Sequence, residues 1–122
     1  MLAILLPIGE PLVAPKKNKV AVVASRAERE ELAGYQILCV RLNPDGSEDR
    51  LASDIAMKVY RDNPEVPFIA IVISTGAYEL RSDKHGTDFD VSAIARMFGG
   101  GGHRNAAGFS LIKSKLEEFE NG

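Results

Sequence analysis

The order of apolar and polar positions along the chain alternates between short β-type runs and helical periodicities. Val20-Ala21-Val22-Val23-Ala24 is an unbroken apolar run that predicts a buried strand, preceded by an exposed turn carrying Lys16, Lys17 and Lys19. Ser25 to Leu32 reads as a polar helical turn, and Gln36 to Leu42 as a second β-rich run. Asn43-Pro44-Asp45-Gly46 is a strong turn signal. Ser47 then stands where it can cap a helix whose Leu51, Ala52, Ile55, Ala56, Val59 and Tyr60 recur at three- and four-residue spacing. Phe68 to Ser74 is nearly continuous and rich in β-branched residues, as in a central strand covered on both faces. Thr75-Gly76 predicts a turn, Tyr78 to Ser82 an alternating strand with Arg81 at its exit, and Asp83 to Asp88 a polar loop. Asp90 is placed to cap a helix with Val91, Ile94, Ala95 and Phe98 on one stripe, which the following glycines end. A strand from Ala107 to Ile112 and a helix opened by Ser114-x-x-Glu117 close the sequence. The pattern predicts an α/β fold: a single domain with a mixed β-sheet covered by helices.

Composition narrows what such a domain can do. At 122 residues, 45% hydrophobic and 26% charged, the chain holds one core, and its net charge of −2 gives no global field for a polyanion, so nucleic-acid contacts must be local. The lone Cys39 sits in the apolar run Ile37-Leu38-Cys39-Val40 and is expected to be buried, which fits a reducing, cytoplasmic setting. Met1 to Leu6 is apolar but lacks a basic lead and is soon broken by Pro7, Gly9 and Pro11, so neither a signal nor a membrane span is expected. Residues 1–19 form a linker or edge segment in this reading, and 20–122 the domain. Leu2 to Leu6 leaves pairing with another chain, and hence an oligomer, open.

The most informative stretch is Gly99-Gly100-Gly101-Gly102-His103. Ordering glycine is entropically costly, so four in a row call for a reason other than stability. Converging backbone N–H groups in such a turn make an anion cradle, and His103 and Arg104 add donors to it. A flexible loop tip and, for His103, a core histidine bonded to a backbone carbonyl are the competing explanations. No spacing of His, Cys, Asp and Glu marks a metal site, and no serine lies in a nucleophile-elbow context. A self-contained catalytic centre is not visible.

Asp90-Val91-Ser92-x-Ile94-Ala95-x-x-Phe98, the glycines, His103-x-x-Ala106-Ala107-Gly108-Phe109, and upstream Leu80-Arg81-Ser82, together resemble the DHH-associated C-terminal domain of the DHH-family phosphoesterases. That family includes RecJ-like exonucleases, oligoribonucleases and phosphoadenosine phosphate phosphatases, and a related domain ends alanyl-tRNA synthetase. The resemblance covers roughly residues 20 to 112, and Glu79 stands where the family commonly has serine. It implies a substrate-binding domain in which Gly100, Gly101, Gly102 and His103 meet a substrate phosphate, Arg81 clamps it, Ser82 adds a hydroxyl, and Arg104 divides between phosphate and solvent. Its ligand would be a nucleotide or a short single-stranded oligonucleotide. It further implies that hydrolysis belongs to an N-terminal DHH domain holding manganese; with no Asp-His-His here, this chain is expected to have no cofactor and no activity alone. The alternative is a non-catalytic RNA-binding or assembly module like that of alanyl-tRNA synthetase.

Overall fold

The computed structural model describes residues 15–111. A six-stranded mixed sheet runs in the order β1-β2-β3-β4-β6-β5, where β1 is Glu28–Leu32, β2 Tyr35–Arg41, β3 Ile69–Val72, β4 Ala77–Arg81, β5 Gly101–His103 and β6 Ala106–Ser110. Among the described residues only the β2–β3 pairing is parallel, and the helix between those strands, α2 (Ala52–Asp62), makes the crossover that a parallel pair requires. Helix α1 (Pro15–Ala24) precedes the sheet, and α3 (Val91–Met97) lies between β4 and β5.

Strand alternation sorts the core into two layers. Leu38, Val40, Ile69 and Ile71 face α2, which contributes Ile55, Ala56, Val59 and Tyr60. Ile37, Cys39, Phe68, Ala70, Leu80, Ala107 and Phe109 face α3, which contributes Val91, Ile94 and Ala95. Fully burying a side chain such as Phe68 or Ile55 stabilises by about 1.5–3 kcal/mol. β3 is thus the doubly covered strand its composition predicts. Burial pushes the Cys39 thiol up to about 11, so at neutral pH it is a protonated packing group.

The first third of the chain departs from the sequence reading. Residues 20–24 are helical, not a strand, and the lysines before them lie in the same helix rather than in a turn. Val23 is buried while Val22 is 60% exposed; with the partly buried Val20 and Ala24, the inward set is spaced i, i+3, i+4, and it packs on the α2 side of the core. Glu28–Leu32, within the expected helical turn, is instead an edge strand. Ala33 and Gly34, both at positive φ, make the two-residue hairpin loop that pairs it with β2, and the charges of Glu28-Arg29-Glu30-Glu31 keep an edge strand soluble.

Ser47 does not cap α2. Its N–H donates to Asp45 Oδ1 at 2.9 Å, and the chain enters the helix through a 3₁₀ turn, Asp49–Leu51, without a side-chain cap. Asp49 is used elsewhere, accepting from the Ser74 N–H at 2.9 Å and pinning the end of β3. The other turn and cap expectations that fall on described residues hold. Asp90 accepts from the Ser92 N–H at the start of α3. At its end, Gly99 at φ 86° donates to Arg96 O and Gly100 to Ala95 O, the paired bonds that stop a helix at a left-handed residue. The glycines then continue as β5 rather than as a free loop, since three ladder pairs join Gly101–His103 to β6. Ile112, the Ser114–Glu117 box and the apolar N-terminus lie outside the described residues.

Candidate functional site

β4 carries the site because its two faces serve different ends. Tyr78 and Leu80 point into the α3 layer, so Glu79 and Arg81 occupy the opposite face. Register extends each into a row across three strands: Glu79 pairs with Gly108, and Gly108 with Gly101; Arg81 pairs with Ala106, and Ala106 with His103. The two rows are about 6.8 Å apart along the strands, and the Cα atoms of Arg81 and His103, two strand spacings apart, are separated by about 10 Å. The buried residues of the α2 layer end at β3. Beyond it an open groove of about 320 Å³ is lined by Glu79, Arg81, Gly101, Gly102, Ala106, Ala107 and Gly108. Its floor is glycine and alanine, which leaves the backbone accessible to a ligand, and its two charged side chains face each other, Arg81 Nη2 lying 3.3 Å from Glu79 Oε1.

Of the residues singled out by sequence, Arg81, Gly101 and Gly102 line this groove. His103 is exposed at the end of the Arg81 row, which removes the core-histidine alternative. Gly100 is half-buried and does not line the groove, its backbone being packed on β6: a Cβ there would stand 2.0 Å from the Gly108 carbonyl oxygen. Arg104 turns away to Asp88, Nε to Oδ1 3.2 Å. Ser82 is buried, its hydroxyl donating to the Phe89 carbonyl at 2.6 Å and accepting from Asn105 Nδ2 at 2.8 Å.

Asn105 is the residue that sequence reasoning missed. With Arg104 it forms the two-residue connection between His103 and Ala106. Its side-chain amide donates to Ser82 Oγ and, at 3.1 Å, to Asp88 Oδ1, while its backbone carbonyl accepts from the Ser82 N–H at 3.1 Å. The Asn105 amide, helped by Arg104, holds the Asp88 carboxyl below the usual carboxylate range. Asp88 itself sits at φ 50°, a conformation asparagine and aspartate tolerate best. This clamp fastens the exit of β4 to the tip of the β5–β6 hairpin, so Arg81 and His103 are held at one end of the sheet. Only the known preference of asparagine for tight turns could have flagged it, since its partners lie 17 and 23 residues away. Replacing Asn105 by alanine is expected to cost about 1–3 kcal/mol in chemical denaturation, because Ser82 is left buried without its donor.

Among the described residues no group of three or more His, Cys, Asp and Glu is placed to hold a metal ion, and no helix is long and apolar enough to cross a membrane. The geometry suits recognition of an anion: a guanidinium and an imidazole row over small residues, with one carboxylate beside it.

Fold and groove together define a small α/β domain whose mixed sheet carries an open, small-residue recess at one end. Residues 33–121 match the model of the DHHA1 domain, and the chain belongs to this DHH-associated domain family. Over 67 residues it is 36% identical to Oligoribonuclease NrnB of Bacillus subtilis (strain 168), an alignment that covers 55% of this chain and 16% of that protein. The crystal structure of an uncharacterized protein from Helicobacter pylori G27 superposes with a TM-score of 0.57 at 22% identity, covering 88% of this chain and 32% of that one, a likeness of fold. The chain therefore spans only a minor part of either protein's length.

Proposed function

We propose that this domain grips the phosphate of a nucleotide or short single-stranded oligonucleotide, while a separate manganese-binding DHH domain, in a cytoplasmic phosphoesterase, hydrolyses the ester. The observation that carries the reading is the Arg81–Ala106–His103 row beside the Gly101–Gly102 backbone. A guanidinium can engage two phosphate oxygens at once and so fixes the orientation of the group as well as its position. The alanine and glycine floor lets phosphate oxygens approach the main chain, and His103 adds a donor at the open edge. Family membership supports a role beside a DHH catalytic domain, and the oligoribonuclease among the relatives supports an oligonucleotide ligand. The net charge of −2 fits a site that recognises one local phosphate rather than a long duplex. In this division of labour Arg81, Gly101, Gly102 and His103 bind and orient; the metal chemistry is supplied by the other domain.

The test is a calorimetric titration of the chain with a 5′-phosphorylated dinucleotide. Arg81→Ala is expected to weaken binding about tenfold or more, because a charge-assisted pair of hydrogen bonds is lost. Gly101→Val is expected to abolish measurable binding with little change in melting temperature, since nothing stands within 4 Å of a Cβ at that position. Wild-type affinity in both variants would sink the reading.

A further inference from the structure

We infer that the end of the sheet beside the groove is a second subsite, where Arg104 takes the next phosphate of a bound single-stranded oligonucleotide and Tyr35 stacks one of its bases. The inference rests on the phosphate-binding reading above and deepens it by assigning the path of the strand beyond its first phosphate. Register brings the residues to one end of the sheet. Leu38, Ile69, Arg81, Ala106 and His103 form a single row across five strands. Tyr35 opens β2 just past that row, and Arg104 follows His103 at the tip of the β5–β6 hairpin. From β6 to β2 is three strand spacings, about 14 Å.

A line of contacts crosses this end. Arg104 is exposed, with its Nε 3.2 Å from Asp88 Oδ1, and Phe89, the next residue, packs edge-to-face on Tyr35 with ring centroids 4.9 Å apart. Asp88 meets the guanidinium at Nε, which leaves the two terminal N–H₂ groups to engage two phosphate oxygens. The same carboxylate oxygen accepts from the Asn105 side chain, so Asp88 is satisfied from two sides and steadies the fork. Tyr35 is the one exposed aromatic ring among the described residues, at 41%. Edge contacts with Phe68 and Phe89 set its orientation before a base arrives, which lowers the entropy lost on binding. Every base has a π face, so a cation followed by an exposed ring suits a single strand of any sequence.

The test is a calorimetric titration of the chain with adenosine 5′-monophosphate and with 5′-phosphorylated triadenylate, for the wild type, Arg104→Ala and Tyr35→Leu. The wild type is expected to bind the trinucleotide more tightly than the mononucleotide. Arg104→Ala is expected to weaken the trinucleotide about fivefold to tenfold and to lower the slope of log affinity against log salt by about 0.7. Tyr35→Leu keeps an apolar side chain against Phe89 and is expected to weaken the trinucleotide about fivefold or more with the salt slope unchanged. The mononucleotide, which reaches only the Arg81 subsite, is expected to bind all three proteins alike, a result that damage to the fold would not give. Unchanged trinucleotide affinity in either variant, or equal losses for both ligands, overturns the inference and leaves the phosphate site standing. Absence of binding of either nucleotide to the wild type overturns both.

Discussion

Gly100→Ala is expected to destabilise the domain by about 3 kcal/mol or more, read as a fall in the denaturation midpoint or as failure to accumulate folded protein. The added Cβ would lie 2.0 Å from the Gly108 carbonyl oxygen and 2.7 Å from Phe109 Cβ. Neither neighbour can step aside. Gly108 is itself held by β4, where its own missing Cβ makes room for the Tyr78 carbonyl, and the Phe109 ring is stacked on both Tyr78 and Phe98. The neighbouring Gly101 has open space at the same construction. Two adjacent glycines are therefore present for different reasons, one for packing and one for access to the groove. Similar stability losses for Gly100→Ala and Gly101→Ala would refute that division.

The second large effect is expected at Glu48. This carboxylate is 1% exposed and accepts from both ends of the Arg26 fork at 2.9 and 2.8 Å and from the Asn43 N–H at 2.8 Å, tying the segment after α1 to the turn that leads into α2. Glu48→Gln puts an amide N–H₂ against a guanidinium that can only donate, and is expected to cost about 2–4 kcal/mol at neutral pH, less than a wholly buried pair because the Arg26 side chain is 41% exposed. The Arg26 hydrogen bond, outweighing desolvation and joined by the bond from Asn43, holds the Glu48 carboxyl below the usual range. A depressed folded-state value means that its contribution is complete above the unfolded-state value of about 4.3 and is lost as pH falls through the folded one. Melting curves from about pH 7 to pH 3 should show the gap between wild type and Glu48→Gln closing on the acid side. A gap that stays constant with pH would assign the cost to shape rather than charge.

What could be read from the sequence depended on whether local signals agreed. Around α2, α3 and β3, periodicity, β-branching and turn residues all point one way, and the structure follows. Val20–Ala24 is too short for periodicity to separate a strand from one face of a helix, and only the docking partner resolves it. Glu28–Leu32 has a helix former's composition but is drawn into the sheet by its hairpin with β2. The same contrast holds for the site. Arg81 and the glycines announce themselves by residue type, whereas Asn105 acquires its role from partners distant in sequence. Glycine has no strand preference, so β5 could be recognised only once β6 was known to pair with it.

The crossover through α2 also has a kinetic side. The parallel β2–β3 join closes a long loop, from Arg41 to Ile69, before its contacts repay the lost chain entropy, while the β3–β4 and β5–β6 hairpins turn back within a few residues. All the groove residues fall between Glu79 and Gly108. Assembly of the recess therefore waits on a second long closure, the joining of β4 to β6 from Arg81 to Ala106 by way of α3, so both halves of the sheet carry an entropically demanding step of folding.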